Sequence, residues 1–376
     1  EAPGPPHPYL GAALARAGRH VRARDVLTRV IAEARNAAAA DMLPFALVRL
    51  AGVELDTGRW RLAAAALGEA VQLARETGNS ADHGLALGVL AWLEAALGQV
   101  EACHAHAEEA VELAGRLGSG SRLDRAAAAL GLLELGCARP ERAIASLEEA
   151  RELQQEAGWS DAALTPHQLP DLIEAYALAG HSRAAHAALE VFSIDAERAR
   201  RPSALASAAR CRALMAPDSE LDARFGDALE PSAQTTGPFE RARTELLYGR
   251  RLARAGRCVE ATDHLAAALR VFEQLGARPW AGRARDEIVA AGGAPPDPQV
   301  NRAERLTPLE LDVALAAGTG EPPDEVAHRL FLGPRTTRLL QASAMAKLGV
   351  ESASELVAAL GPEGAPDARV RRQATA

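Results

Sequence analysis

The chain has 376 residues, 48% of them hydrophobic and only 3% aromatic, with a net charge of −8. Alanine and leucine supply the apolar mass, enough for two or more domains and strongly biased to helix, while β-branched and aromatic residues are too scattered for a sheet. The acidic balance excludes a protein that coats nucleic acid by bulk charge, and no apolar run reaches the roughly 18 residues of a membrane span. The longest run, Leu85 to Leu93, is closed by Glu94. Four cysteines (Cys103, Cys137, Cys211, Cys258) lie far apart with no Cys-x-x-Cys, as expected of small buried residues in a reducing cytoplasm.

Glu1-Ala2-Pro3-Gly4-Pro5-Pro6 reads as a linker cut in its middle, so residues 1–7 are assigned to a linker and the chain is expected to be a piece of a longer protein. Residues 8–292 repeat. Gly18, Gly58, Gly98, Gly136, Gly180 and Gly256 each end a helix that is followed by another, at intervals of 40, 40, 38, 44 and 76, the last being two repeats. A small residue follows at +5, an apolar one at +9 and a third at +12. Gly18 gives Ala23, Leu27 and Val30; Gly58 gives Ala63, Leu67 and Ala70; Gly98 gives Cys103, Ala107 and Ala110. Gly180 gives Ala185, Leu189 and Phe192, and Gly256 gives Ala261, Leu265 and Ala268.

After Gly136 the pattern arrives two residues late (Ala143, Leu147, Ala150), which predicts a longer turn around Pro140. The remaining repeat is masked by Ala216-Pro217, followed by Leu221, Phe225 and Ala228. Steps of four and three define one helical face. A period of about forty with two helices per repeat predicts an α-solenoid in which each pair must stack to bury its face. Seven pairs, a capping helix from Pro279 to Ala291 and a right-handed superhelix with a concave groove are expected.

Pro295-Pro296-Asp297-Pro298 stiffens a linker over 293–305, and residues 306–361 then read as four short helices. Thr307 with Glu310 is a capping box, and Pro308 suits a first helical position. Pro322-Pro323 start the second helix, Gly333-Pro334 separate it from the third, Gly349 ends the third, and Ser352 or Ser354 caps the fourth. Two helices joined by a tight break, the second carrying Arg335, Thr336, Thr337, Arg338 and Gln341, are the parts of a helix-turn-helix. Residues 362–376 read as a disordered tail.

The order Leu306-Thr307-Pro308-x-Glu310, Glu325-Val326-Ala327-x-x-Leu330, Arg335-Thr336 and Lys347-Leu348-Gly349-Val350 resembles the C-terminal DNA-binding domain of the LuxR family of bacterial transcription regulators. Phe272 to Trp280, followed by the proline linker and this domain, resembles the large ATP-binding members of that family, common in actinobacteria and related to the maltose-operon activator. The repeats resemble tetratricopeptide repeats. The resemblance implies an all-α chain: an α-solenoid of tetratricopeptide-like pairs, then a small four-helix LuxR-type helix-turn-helix domain. It implies a cytoplasmic transcription regulator whose repeats sense an unknown small-molecule or protein effector and which binds operator DNA as a homodimer, with no membrane partner. Thr336, Thr337, Arg338, Leu339 and Ala342 would face DNA and Lys347 would lie near the backbone; Arg335 and Lys347 are assigned to phosphates, and Thr336, Thr337, Arg338 and Gln341 to the groove. The sequence departs from the family pattern at Leu309, Pro322-Pro323, Thr337, Leu340 and Ala342.

A second expectation comes from charge. Residues 306–360 hold four basic and seven acidic side chains, where a DNA-binding module normally carries a basic footprint. An interaction scaffold whose helix-turn-helix no longer reads DNA accounts for that balance. Enzyme chemistry has no motif to rest on. Lys347 is the only lysine and follows Ala346, so a standard P-loop is excluded within these residues, no cofactor is expected in them, and ATP binding would reside upstream of Glu1. Cys103, His104 and His106 form a tight cluster, but two ligands on one helical face are not a metal site. Glu108-Glu109 and Glu148-Glu149 read as solvated helix charge. Arg243, Arg250, Arg254 and Arg257, spaced 7, 4 and 3, read as one helical face. They either line the groove as sites for an acidic ligand or peptide, or form a solvated face paired with Glu245 and Glu260. The tryptophans Trp60, Trp92, Trp159 and Trp280 either line the groove or pack between repeats.

Overall fold

A computed structural model describes residues 8–37, 40–117, 120–156, 168–230, 237–296, 306–318, 320–329 and 333–360. The assigned linker at 1–7, the tail at 362–376 and Trp159 lie outside the described residues. All regular structure among the described residues is helical, and the chain divides into two compact units, Glu1–Asp297 and Pro298–Ala376. No helix among the described residues is long and apolar enough to cross a membrane.

The first unit is a run of helix pairs. They are α1 (Pro8–Arg16) with α2 (His20–Asn36), α3 (Leu43–Asp56) with α4 (Trp60–Glu76), and α5 (Ser80–Leu97) with α6 (Val100–Leu117). α7 (Gly120–Gly136) pairs with α8 (Pro140–Glu156), α9 (Gln168–Ala179) with α10 (Ser182–Ala199), and α11 (Pro202–Met215) with α12 (Leu221–Leu229). α13 (Pro238–Arg254) and α14 (Cys258–Leu275) complete the array, and α15 (Arg278–Ala290) caps it. The first helices of successive pairs touch one another and form an inner layer; each second helix packs on its own partner and on the pair that follows.

One turn sets the period. In each of six pairs a residue in the left-handed conformation follows the first helix, and two backbone hydrogen bonds close the helix end in the Schellman pattern. Gly58, for example, donates to the Leu55 carbonyl and Arg59 to the Glu54 carbonyl. The next residue starts the second helix, so the side chain at +5 always meets the first helix at the same height. Ala23, Ala63, Cys103, Ala143, Ala185 and Ala261 are all fully buried there.

The delayed repeat has a different explanation from the one expected. The turn before Pro140 is the same length as the others, but its left-handed residue is Ala138 (φ 55°), not Gly136. Counted from Ala138, the pattern of Ala143, Leu147 and Ala150 is in register. Gly136 has another task. A Cβ there would lie 3.0 Å from the indole Nε1 of Trp280 and 3.2 Å from Cβ of Pro279.

That approach closes the inner face. The expected concave groove is occupied in part by the chain's own last helices, because α15 packs on α5 and α7. Pro279 presses on Gly98, and Pro238 at the start of α13 presses on Gly58. α5 is therefore covered nearly all round, which explains why the apolar run in it lacks a polar face. Phe239 is the hub of the seam, with ring centroids 5.2 Å from Trp60, 5.8 Å from Trp92, 5.8 Å from Phe272 and 5.3 Å from Trp280. The three described tryptophans pack in the core. A cavity of about 600 Å³ remains beside this seam, among the inner helices of the early pairs and α11 and α13.

The second unit contains α16 (Pro308–Gly318), α17 (Pro323–Arg329), α18 (Pro334–Leu348) and α19 (Ala353–Leu360). Leu306, Leu311, Ala314, Ala344, Leu348 and Leu356 are in its main core. Gly349 ends α18 at φ 68°, as its sequence position requires, and Ser352 rather than Ser354 precedes the first residue of α19.

Tight helix contacts at Gly249 give a stability test. A Cβ there would meet the Ala261 carbonyl oxygen at 2.9 Å and Leu265 Cγ at 2.6 Å. Gly249→Ala should therefore cost about 1–3 kcal/mol in urea denaturation. Gly68 is exposed inside α4 with no atom near its missing Cβ, so Gly68→Ala should stabilise by roughly 0.5–1 kcal/mol in the same measurement.

Candidate functional site

The C-terminal unit is organised around its one lysine. The capping box read from the sequence is present: the Thr307 N–H donates to Glu310 Oε2 at 2.7 Å, and the Glu310 N–H donates to Thr307 Oγ1 at 3.3 Å. The same carboxylate also accepts from Lys347 Nζ at 2.6 and 2.8 Å and from Ser343 Oγ at 2.6 Å. These bonds fasten the start of α16 to the end of α18. Lys347, then Ser343 and the Thr307 backbone, hold the Glu310 carboxyl down to about 2.

This corrects two of the DNA assignments. Lys347 is committed to Glu310 instead of standing as a free phosphate contact. Thr337 is only 1% exposed and donates its hydroxyl to the Gly333 carbonyl, so it packs inside the first turn of α18 and offers nothing to a groove. The other candidates divide by helical position. Arg335, Thr336, Arg338, Leu339 and Ala342 are exposed, and 335, 338, 339 and 342 form one stripe along α18. Gln341 is half-buried beside it. Arg338 lies 3.8 Å from Asp324, both well exposed, a pairing too loose to tie it down. Leu340 turns inward onto Val313, Ala316 and Val326, so that departure from the family pattern is a packing residue.

The four arginines read as one face are also redistributed. Arg243 is 2% exposed and does not line an open groove. Its Nη2 donates to Asp171 Oδ1 at 2.6 Å and to Glu174 Oε2 at 2.7 Å, and its guanidinium lies 4.7 Å from the Trp280 ring centroid. Arg283 lies against the same ring at 4.8 Å, donates to the Leu135 carbonyl at 2.9 Å, and pairs with Glu174. Arg210 pairs with Glu240, which also reaches Arg243. Burial alone would lower the Arg243 guanidinium's pKa, but Asp171, Glu174 and Glu240 raise it well above its usual value. Burial likewise works against the Glu174 charge, and Arg243 and Arg283 hold its pKa down nonetheless. Asp171 has one oxygen without a hydrogen-bond partner, and burial pushes it up to about 6 although Arg243 opposes.

Arg250 is partly covered and faces Glu287 at 3.2 Å. Arg254 is exposed at the end of α13. Arg257 belongs to the next helix start, where it pairs with Asp222 at 2.7 Å and Glu260 at 2.5 Å. Arg243, Arg250 and Arg254 do share one face of α13, but the step to Arg257 crosses the turn at Gly256, so the four do not make one face. Sequence reading missed the partners Asp171, Glu174, Arg210 and Arg283, which come from three other helices.

Cys103 and His106 have different surroundings. Cys103 is buried, and burial, with Glu94 nearby, pushes its thiol up to about 12. His106 bonds to Glu94 at 2.8 Å, and no group of three metal-ligating side chains occurs among the described residues. All four cysteines are free, but only Cys103 and Cys211 are buried; Cys137 is partly covered and Cys258 is exposed at the start of α14.

A family model for anaphase-promoting complex subunit 5 matches residues 11–94, from within α1 to within α5. The match falls on the repeats alone, and the array of pairs is a tetratricopeptide-like helical solenoid. No curated protein matches the chain.

Removing Arg243 would leave Asp171 and Glu174 buried without their closest cation. Arg243→Ala should cost about 3–5 kcal/mol in urea denaturation, whereas Arg254→Ala should change stability by less than about 0.5 kcal/mol. The Glu310 carboxyl is held below its unfolded value of 4.5, so its contribution is complete above that pH and is lost as the pH falls toward about 2. Hydrogen exchange of the α16 amides in the full chain should accelerate across that window, and Glu310→Gln should remove most of this pH dependence.

Proposed function

We propose that the chain is part of a cytoplasmic bacterial transcription regulator of the LuxR type, in which α18 enters the major groove of operator DNA and the repeat unit receives an effector. The observation that carries this reading is the stripe of Arg335, Arg338, Leu339 and Ala342. It stands exposed on the helix that comes next after α17, while Thr337, Ala344 and Leu348 bury the opposite face. Arg338, near the helix start, is placed as a base reader; Arg335 serves the phosphates and Thr336 the groove edge. Gln341 is a secondary contact. A helix-turn-helix with so few cations gains enough phosphate contacts by binding as a homodimer on paired half-sites.

One observation favours a second reading. With Lys347 and Glu310 paired, three basic side chains remain against six acidic ones over residues 306–360, a balance that suits a protein-interaction scaffold. Selection of genomic DNA fragments by the full chain at low and moderate salt separates the two. The regulator enriches a palindromic site and loses affinity as salt rises; the scaffold enriches nothing at either salt. On the enriched site, Arg338→Ala should weaken binding by about 1–3 kcal/mol and relax the preference at one position, while Arg335→Ala should lower the salt slope by about one.

A further inference from the structure

The cavity beside the aromatic seam has an unusual wall. Arg16 from α1, Arg49 from α3, Arg125 from α7 and Arg201, just before α11, all line it. The carboxylates of Asp56 and Glu240 line it too, and Glu240 is paired with Arg210. Four arginines from distant parts of the chain thus share one cavity wall, and like charges at close range repel. The repulsion is evident at Arg49. Burial lowers its pKa first, and the neighbouring charges of Arg125 and Arg16 lower it further, with Asp82 and Tyr9 offsetting part of this. Its guanidinium rests over the Phe45 ring at 4.6 Å, and its Nε is buried without a hydrogen-bond partner.

The rest of the lining has a different character. Val48, Leu85, Val89, Trp92 and Phe239 supply an apolar floor, with Ser203, Ser207 and Thr244 as neutral polar groups. Asp56 lines the cavity with 52% of its side-chain surface open. Burial pushes its carboxyl up to about 6, against Arg125 and with Glu240. A volume of about 600 Å³ falls in the range of roughly 300–1,000 Å³ typical of small-molecule sites. A few charged groups above an apolar floor is the arrangement that orients an amphipathic ligand.

We infer that this cavity binds a small organic anion, its carboxylate or phosphate head held by Arg16, Arg49 and Arg125 and its apolar body lying on Val89, Trp92 and Phe239. Guanidinium groups suit either head, because each offers paired N–H donors to two oxygens. The site lies wholly within the repeat unit and does not depend on what α18 binds.

Calorimetric titration of the full chain with octanoate and with hexyl phosphate tests the site, using octylammonium and octan-1-ol as cationic and neutral partners of the same build. The expected result is one site per chain for at least one anion, at millimolar affinity or better, with octylammonium and octan-1-ol binding at least about tenfold more weakly. The tighter of the two anions identifies the head group. Arg49→Gln should weaken anion binding by about tenfold or more. Arg16→Gln, at a more exposed position, should do the same in direction if Arg49→Gln does not fold, and Arg254→Gln should leave binding unchanged. No binding of either anion at millimolar concentration overturns the assignment. So does equal affinity for octylammonium or octan-1-ol, or undiminished anion binding in the cavity variants.

Discussion

The repeat unit depends on the contact between α15 and the inner helices laid down much earlier in the chain. Trp280 is its centre. The ring fills the space left by Gly136, touches Phe239 and Phe272, and carries a guanidinium at each of two approaches, Arg243 and Arg283. Those cations are neutralised by Asp171 and Glu174 from α9. An apolar wedge alone would slide along a smooth inner surface. A wedge flanked by buried charges has one position in which every cation meets a carboxylate, and the penalty for any other position is large because the charges are out of water.

Local order was legible because it repeats. The +5, +9 and +12 spacing follows from a turn of fixed length, and six buried small residues at +5 confirm that in those six pairs the second helix meets its partner at the same height. The capping box of α16 and the left-handed end of α18 were legible for the same reason, since each depends on residues within one turn. The misreading at Gly136 is instructive. A glycine at a helix end looks like the turn residue, but here Ala138, two residues on, takes the left-handed conformation and the glycine makes room for a tryptophan more than a hundred positions later.

Charge was the least legible feature. A series of arginines at helical intervals does not say where along a face the cover ends: Arg243 is enclosed, while Arg254, three turns on along the same face of α13, is exposed. Likewise, Lys347 and Thr337 sit where a groove-reading helix would place contacts, yet one is clamped by Glu310 and the other by Gly333. The arginines around the cavity, from Arg16 to Arg201, are so far apart in sequence that no window of the chain brings them together. Burial and distant pairing are tertiary facts, and only the packed inner layer reveals them.

An open array of helix pairs can fray from either end, because each unit leans only on its neighbours. This one cannot shed its last helix so cheaply: Arg283 reaches a carbonyl 148 residues earlier, at Leu135. Such long-range closure slows folding and makes unfolding more nearly all-or-none. It also orders events as the chain emerges from the ribosome. The part of α5 that α15 covers is made early and stays bare until α15 is complete, so the newborn repeats are most prone to aggregate in that interval.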